Sequence, residues 1–273
     1  MSTKPRVVLV TGASSGFGLS IASDLASAGY RVYGTSRSAD GETNPHGHFE
    51  LIRMDVDDDD SVARGIEALI AREGVLDAVV SNAGIGVAGA LEDTSSAEAM
   101  VQFQTNFFGN HRVCRAALPH LRARGRSHIV VIGSLAGLLG IPFQGMYSAT
   151  KFALEGYCEA LRIELRQTPV RVSILEPGDF ATGFTAARQI AAASGPGSSY
   201  HAAFSRALEV IEKDEIEGAD PVLLSQAVRS ILDMGDPPVR LAVTSPAQAG
   251  FATAKQHIPA ADLEAMLAKH FGC

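Results

Sequence analysis

The sequence predicts an α/β fold in which a doubly wound parallel sheet of seven strands carries helices on both faces. Three observations support this prediction: short β-rich runs recur along the chain, helix-length segments separate them, and a glycine-rich turn follows the first run. Apolar strands that alternate with helices are typical of βαβ units, whose parallel sheets are covered on both faces. With 273 residues, 46% of them hydrophobic, the chain is expected to form a single domain over 1–273.

The strands are predicted at seven runs, and helices are predicted between them. The strand runs are RVVLV (6–10), RVYGTS (31–36), FELIRM (49–54), DAVVS (77–81), HIVVIG (128–133), VRVSIL (170–175) and VRLAV (239–243). The helices are predicted at 16–29, 60–72, 97–123, 146–167 and 221–233. A loop is predicted over 183–215, which contains a Gly/Ser/Pro cluster, and this loop and the C-terminal segment 244–273 are expected to set substrate specificity.

Charge and cysteine content exclude several classes of protein. A net charge of −7 and a pI of about 5.6 leave no basic surface for nucleic acid or an anionic membrane. The apolar run near the N-terminus is too short to span a membrane and has no small-residue cleavage site. Cys114, Cys158 and Cys273 form neither a metal-ligand pattern nor a disulfide framework. We therefore expect a cytoplasmic protein with reduced thiols, no membrane span and no metal.

The first turn of the sheet, TGASSGFG (11–18), has the chemistry of a phosphate site. Glycines between a strand and a helix let the backbone approach a pyrophosphate, which the N–H groups of the helix N-terminus stabilise. The spacing is G-x-x-x-G-x-G rather than the G-x-G-x-x-G of many dinucleotide sites, and glycine turns also occur without a ligand. Because a strand precedes it and a helix follows it, we favour nucleotide binding. The predicted contacts are Gly12, Ser14, Ser15, Gly16, Phe17 and Gly18.

Two further strand ends carry candidate cofactor residues. Asp55 follows the third strand and can accept a hydrogen bond from an adenine amine. Asn82, Ala83 and Gly84 follow the fourth strand, where small residues let a cofactor lie at the topological switch point. Taken alone, each of these residues is better explained by a turn or a helix cap. The acidic run 55–60 is likewise more typical of a helix N-terminus than of a metal site.

Taken together, the motifs resemble those of the short-chain dehydrogenase/reductase family from Val7 to about Val243. They are T-G-x-x-x-G-x-G at 11–18, Asp55-Val56, N-A-G at 82–84, Asn106, Ser134, Y-x-x-x-K at 147–151 and P-G-x-x-x-T at 177–182. The segment 133–161 is similar in wording to 17β-hydroxysteroid and retinol dehydrogenases. The resemblance implies a Rossmann-type fold, a nicotinamide cofactor and a homodimer or homotetramer. Ser81 before N-A-G and Asp179-Phe180 after P-G depart from the family pattern.

The resemblance implies a catalytic set of Asn106, Ser134, Tyr147 and Lys151. Tyr147 is the expected general acid/base, and Lys151, one helical turn away, is expected to stabilise its anion and to hold the nicotinamide ribose. Ser134 would donate to the substrate carbonyl, and Asn106 would keep a water-linked proton path. Thr182 would hold the nicotinamide carboxamide.

Val56, Pro177 and Gly178 complete the expected cofactor contacts. Imidazoles titrate near neutrality, so histidines are alternative acid/base groups, but no partner motif accompanies His111, His128 or His201.

The end of the second strand predicts the choice of cofactor. NAD enzymes of this fold commonly carry Asp or Glu about twenty residues past the glycine turn, where it binds the ribose 2′-hydroxyl. Here GTSRSAD (34–40) places Ser36 and Arg37, which can both donate to a 2′-phosphate. The alternative is a solvated Arg37 with Asp40 as the ribose acceptor, but Asp40 lies further past the strand. We therefore expect NADP(H).

The predicted function is NADP(H)-dependent interconversion of an alcohol and a ketone or aldehyde. Apolar residues suggest a bulky, apolar substrate, although they would also suit a lid that only packs on itself. These residues are Phe143 and Phe184, with Leu138, Ile141, Ile190, Tyr200, Phe204 and Leu208. The alternatives are an epimerase or dehydratase of the same fold and a non-catalytic NADP-sensing protein. A second apolar stripe on helix 146–167 would pair with helix 97–123 in an oligomer.

Overall fold

The computed structural model describes residues 5–39 and 48–273. The strands are β1 (Val7–Val10), β2 (Arg31–Ser36), β3 (Glu50–Arg53), β4 (Ala78–Ser81), β5 (Val87–Ala88), β6 (Ser127–Ile132), β7 (Val170–Pro177), β8 (Gln189–Ile190) and β9 (Arg240–Val243). The α-helices are α1 (Gly16–Ser27), α2 (Asp59–Glu73), α3 (Ser96–Phe103), α4 (Asn110–Arg122), α5 (Gly145–Glu164), α6 (Phe184–Ala187), α7 (His201–Ile216), α8 (Val222–Asp233), α9 (Pro246–His257) and α10 (Ala260–Phe271).

The main sheet is parallel, with the strand order β3-β2-β1-β4-β6-β7-β9. The order reverses at β1, which pairs with β2 on one side and β4 on the other. Because all the strands run in the same direction, their carboxyl ends meet at one edge, where open α/β sheets bind ligands. The predicted doubly wound sheet of seven strands is confirmed.

Each strand of the sheet centre is buried on both faces. Val7 and Leu9 join a core with α2, α4 and α5, whereas Val8 and Val10 join a second core with α1 and α8. This explains why β1 is a continuous apolar run rather than an alternating one. Cys114 and Cys158 lie buried in α4 and α5 as free thiols.

The helix predicted over 97–123 is interrupted. A π-helical turn, Gln104–Gly109, lies between α3 and α4 and contains Asn106. Wider turns of this kind occur mostly as single insertions in α-helices and often at functional sites. The interruption leaves no mark on the apolar periodicity, so the sequence predicts one continuous helix.

The segment predicted as a loop over 183–215 is largely ordered secondary structure, which corrects that prediction. It contains α6, then β8, which pairs with β5 in a small parallel sheet, and then α7. Phe204, Ala207 and Ile211 form the buried face of α7 at helical spacing. The C-terminal segment follows β9 and forms the helices α9 and α10. Among the described helices, none is both long enough and apolar enough to cross a membrane.

Candidate active site

A cavity of about 950 Å³ opens at the carboxyl edge of the sheet. Most of the residues that the sequence nominates line it. They are Gly12, Ser14, Ser15, Gly16, Phe17, Ser36, Arg37, Asp55, Val56, Asn82, Ala83, Gly84, Ser134, Tyr147, Lys151, Pro177, Gly178, Thr182 and Phe184. Gly18, Asn106 and Phe143 do not line the cavity.

The glycine turn has the shape that a pyrophosphate requires. Gly12 and Gly16 adopt φ angles of +66° and +53°, in the region that glycine populates without strain. A Cβ on Gly18 would lie 2.2 Å from the Gly12 carbonyl oxygen, so only glycine lets α1 come this close to the turn. Ser15 precedes α1 without making a side-chain cap, which leaves the first N–H groups of the helix available to an anion. The turn therefore fits a dinucleotide phosphate.

Asn82 joins the ends of β1 and β4 by hydrogen bonds. Its backbone N–H donates to the Thr11 hydroxyl over 2.9 Å, and its side-chain amide donates to the Thr11 carbonyl over 2.9 Å. The ideal Cβ of Gly12 would lie 3.0 Å from the Cα of Ala83. These contacts hold the strand ends close together, so small residues here shape the floor of the cavity.

The ends of β2 and β3 border the part of the cavity where the sequence predicts the adenosine. Ser36 is half-buried and Arg37 is exposed at the cavity edge, whereas Asp40 lies outside the described residues. Asp55 accepts a hydrogen bond from the backbone of Asp57 over 3.0 Å. Asp58 is the N-cap of α2. The described residues contain no cluster of three metal-ligating side chains.

Tyr147 and Lys151 share one face of α5. The Lys151 Nζ lies 5.6 Å from the centre of the Tyr147 ring and donates to the carbonyl oxygen of Ile132, at the end of β6, over 2.9 Å. The ammonium is buried and has three N–H donors. The N–H donors that do not bind Ile132 are available on the cavity side. Ribose hydroxyls would accept hydrogen bonds from them.

Ser134 and Asn106 stand on either side of this pair. Ser134 follows β6, lines the same cavity as Tyr147, and lowers the pKa of the Tyr147 hydroxyl. Asn106 is buried; its amide oxygen accepts from Ile85 N over 2.8 Å, and its amide nitrogen donates to Ile85 O over 3.0 Å and to Thr150 over 3.2 Å. The π-helical turn aims Asn106 at the segment after β4, where it supports the wall of the cavity.

Burial dominates the proton affinities of the two catalytic groups. It raises the pKa of Tyr147 to about 12, with further raising by Glu215 and Asp179 and lowering by Ser134 and Arg188. Lys151 was expected to lower that pKa, but burial outweighs any such stabilisation in the protein alone. Tyr147 is therefore a phenol at neutral pH, poised to donate a proton.

Burial also lowers the pKa of Lys151 to about 8, and Glu155 partly offsets the lowering. Lys151 is consequently an ammonium at neutral pH.

Apart from Ile141, the residues at the far end of the cavity are ones that the sequence did not nominate. The polar ones are Asp179, Asp214, Glu215, Gln248 and His270, and the apolar ones include Leu139, Ile141, Ile211, Phe251, Leu267 and Phe271. Most of them lie on α7, α9 and α10. The available signal was Asp179, the departure from the family pattern after P-G.

Several apolar residues expected at the substrate lie elsewhere. Phe143 and Phe204 pack against each other with ring centres 5.5 Å apart, behind the wall that Ile211 and Phe271 form. Ile190 is exposed.

None of the three candidate histidines lines the cavity. His111 lies 3.3 Å from the Tyr157 hydroxyl, and His128 contacts Arg6 and the Met234 carbonyl.

A model of the short chain dehydrogenase family matches residues 6–192. The chain belongs to the short-chain dehydrogenase/reductase family. A 3-ketodihydrosphingosine reductase from Bacteroides thetaiotaomicron is 41% identical over 94% of this chain and 94% of its own. Human retinol dehydrogenase 8 is 36% identical over 88% of this chain and 82% of its own. A short-chain dehydrogenase structure from Streptomyces avermitilis superposes with a TM-score of 0.83 at 32% identity, over 98% of this chain and 97% of that one.

Membership of the short-chain dehydrogenase/reductase family makes the protein an oxidoreductase. The resemblance stated from the motifs, including that to retinol dehydrogenases, is confirmed. Solved neighbours of this fold bind NAD or NADP, and the turn, strand ends and buried ammonium described above fit such a dinucleotide.

Proposed function

We propose that the protein is an NADP(H)-dependent oxidoreductase that interconverts an alcohol and a ketone or aldehyde on a bulky, lipophilic substrate. The observation that carries this proposal is the convergence of Ser134, Tyr147 and Lys151 on one cavity that extends onward between apolar side chains. That arrangement supplies a proton donor, a carbonyl-binding hydroxyl and a cation at the same point.

In the direction of reduction, a nicotinamide cofactor held here would supply the hydride for the carbonyl carbon. Tyr147 gives its hydroxyl proton to the carbonyl oxygen, which becomes the alcohol. Ser134 donates a hydrogen bond to that oxygen and fixes the carbon that is reduced. Lys151 donates to the ribose hydroxyls, and its charge favours the phenolate that remains until Tyr147 is reprotonated.

The preference for NADP(H) rests on Ser36 and Arg37. Both line the cavity at the end of β2, where the ribose 2′-position of a dinucleotide is bound in this fold. A hydroxyl and a guanidinium donate to a phosphate, the guanidinium with charge assistance.

The lipophilic substrate is supported by the length and walls of the cavity. Beyond Tyr147 it continues past Phe184, Ile211 and Phe271 to the C-terminal helices. These apolar side chains suit a ligand with a long hydrocarbon part. Since the Bacteroides relative is named for the ketone of dihydrosphingosine, a long-chain ketone of this sphingoid type is our first candidate.

The test is a turnover assay of purified protein with long-chain ketones, a steroid ketone and retinal, each with NADPH and with NADH. We expect NADPH-dependent reduction of at least one lipophilic ketone. Turnover of a small sugar or hydroxy acid in preference to every lipophilic carbonyl would contradict the substrate class. NADPH binding without turnover of any carbonyl would instead favour a sensor, and reaction without net NADPH oxidation would favour an epimerase or dehydratase.

We further propose that the chain acts as one domain in the cytoplasm, as a homodimer or homotetramer. Free thiols support a reducing compartment. The second stripe of α5, which comprises Ala149, Phe152, Gly156, Ala160 and Ile163, is exposed, as are Met100 and Val101 on α3. Such small and apolar residues let another helix pack closely. Light scattering at micromolar concentration should give a multiple of the 28.6 kDa chain mass; a monomer would contradict this proposal.

A further inference from the structure

The substrate end of the cavity carries an excess of negative charge. Asp179 lies just past β7, and Asp214 and Glu215 lie near the end of α7, yet all of them line the same cavity as Tyr147. A wall built only to hold a hydrocarbon has no use for these carboxylates, because charged groups next to an apolar ligand lose hydration without compensation.

A buried guanidinium neutralises this wall only in part. Arg188, whose side chain is almost wholly buried, pairs with Glu215 and lies 3.9 Å from Glu212. The His270 Nε2 lies 3.0 Å from an oxygen of Asp214. In the part of the chain that the structure describes, neither a lysine nor an arginine forms an ion pair with Asp179. Its side chain receives a hydrogen bond from the Gln248 amide instead.

The proton affinity of Asp179 reflects this lack of a cation. Burial, followed by the charges of Glu215 and Asp214, raises its pKa to about 6, while Gln248 and His270 act in the opposite direction. At neutral pH the carboxylate is thus mostly ionised and under like-charge repulsion. A cation placed beside it would relieve that repulsion.

The position of this charge fits a substrate group close to the reacting carbon. Asp179 directly follows Gly178, and its charge and that of Glu215 both raise the pKa of Tyr147. The ring of Phe184 lies between the two sides of the site, with its centre 5.7 Å from that of Tyr147 and 5.8 Å from the Arg188 guanidinium carbon. The acidic wall is therefore within the electrostatic reach of the catalytic phenol.

We propose that Asp179 is a specificity-determining residue that pairs with a substrate ammonium group near the reacting carbonyl, so that the preferred substrate is a lipophilic amino ketone. This inference rests on the proposed function, whose catalytic residues it leaves unchanged. Asp214 and Glu215 add to the negative field without touching the ammonium. The apolar part of the same substrate would run along Ile211 and Phe271.

Asp179 also has a structural contact that a test must preserve. Its backbone N–H donates to the Gln248 Oε1 over 3.2 Å, and the Gln248 amide donates to its carboxylate. These bonds join the end of β7 to α9. Asparagine at this position can still accept from Gln248 but carries no charge, so Asp179→Asn separates the electrostatic role from the structural one.

The experiment compares wild-type protein with Asp179→Asn on two probes, a long-chain α-amino ketone and the same ketone without the amine, at saturating NADPH. We expect the wild type to prefer the amino ketone. Asp179→Asn should lower kcat/KM for the amino ketone about 10- to 100-fold, the usual range for loss of a charged hydrogen bond, with less than about a threefold change for the amine-free ketone. The KM of the wild type for the amino ketone should also rise as the pH falls through about 6, and the variant should lack that rise.

The controls separate this inference from the proposed function. An unchanged Kd for NADPH and an unchanged Tm show that the variant is folded. Gln248→Ala removes the contact between α9 and the end of β7 but keeps the carboxylate of Asp179, so it should retain the preference for the amino ketone. Equal losses on both ketones in Asp179→Asn, or a wild type that reduces both equally well, would overturn the inference and leave the proposed function standing. A wild type that reduces neither ketone would overturn both.

Discussion

The two ends of the cavity are built by different means. At the cofactor end, the turn after β1 and the end of β4 bring backbone into contact with backbone, through Gly12, Gly18 and Ala83. At the substrate end, charged and aromatic side chains project from α7, α9 and α10. The family model stops at residue 192, before any of these three helices begins.

The difference shows how recognition is encoded in this chain. A pyrophosphate held by backbone N–H groups requires glycine at fixed places, and that requirement is visible as a spaced motif. Recognition by side chains on helices requires only that suitable residues face the cavity, which no fixed spacing reveals. We therefore expect cofactor class to depend on the strand ends and substrate class to depend on the last third of the chain.

The junction between the two ends should show the largest effect. Tyr147→Phe removes the proton donor while keeping the ring against Phe184, so we expect kcat to fall by on the order of 10²–10⁴. Equilibrium binding of NADPH should be unchanged, because the cofactor end is intact. Tyr157→Phe on the same helix is the matched control and should retain turnover. Near wild-type turnover of Tyr147→Phe would refute the assigned mechanism.

A substitution confined to the cofactor end should affect only the cofactor. Arg37→Ala is expected to weaken NADPH by about 1.5–3 kcal/mol, the scale of a charged hydrogen bond, and to leave NADH and the KM of the ketone nearly unchanged. The control is Arg53→Ala, an exposed arginine at the end of β3 outside the cavity. Titration by fluorescence would measure both dissociation constants. Equal weakening of NADPH binding and NADH binding would show that Arg37 does not recognise the 2′-phosphate.

Most of the sheet could be predicted from the sequence because both of its faces are buried. Runs such as VVLV and IVVI are apolar throughout, and helices must cover them. The helices of the last third were harder to find. In α9, residues such as Ala249, Ala252 and Ala254 are small and none is buried, so no apolar stripe marks the helix. The two-residue strands β5 and β8 are too short for any alternation.

The candidate site also contains residues that the sequence predicts and contacts that it does not. Tyr147, Lys151 and Ser134 could be nominated because helical spacing and position after a strand place them at the sheet edge. The partners of Asn106 could not, since a π-helical turn aims its amide at Ile85, far from any contact that periodicity suggests. The charge of Asp179 was visible, but its proximity to Glu215 depends on how α7 folds over the cavity.

A substitution confined to the substrate end should have a smaller effect and spare the cofactor. Phe184→Ala removes a ring that borders Tyr147 and the apolar cavity. We expect KM for a lipophilic ketone to rise about five- to thirtyfold, as for partial loss of one buried aromatic contact, without change in the Kd for NADPH. Ile190→Ala is the control because Ile190 is exposed outside the cavity. A changed Kd for NADPH in Phe184→Ala would show that the two ends are not separable.

The smallest expected effect concerns the ammonium that serves both ends. Burial lowers the pKa of Lys151 to about 8, so the ammonium is present below that pH and is lost as the pH rises through it. The rate of ketone reduction should therefore fall on the alkaline side of about pH 8. Tyr147, with its pKa raised to about 12, stays protonated over this range. It therefore does not cause this fall in rate, the alkaline limb of the pH–rate profile.

Glu155 provides the means to test this assignment. It lies one turn past Lys151 on α5, where its charge raises the pKa of Lys151, and it forms an ion pair of 2.7 Å with Arg240. Glutamine keeps a hydrogen bond to Arg240 but removes the charge, so Glu155→Gln should move the alkaline limb to lower pH, with less than about a threefold change in rate at neutral pH. Glu159→Gln is the matched control, because Glu159 also contacts Arg240 but is more exposed and does not act on Lys151. A limb that stays in place in Glu155→Gln, or one that moves equally in both variants, would assign the alkaline loss to a group other than Lys151.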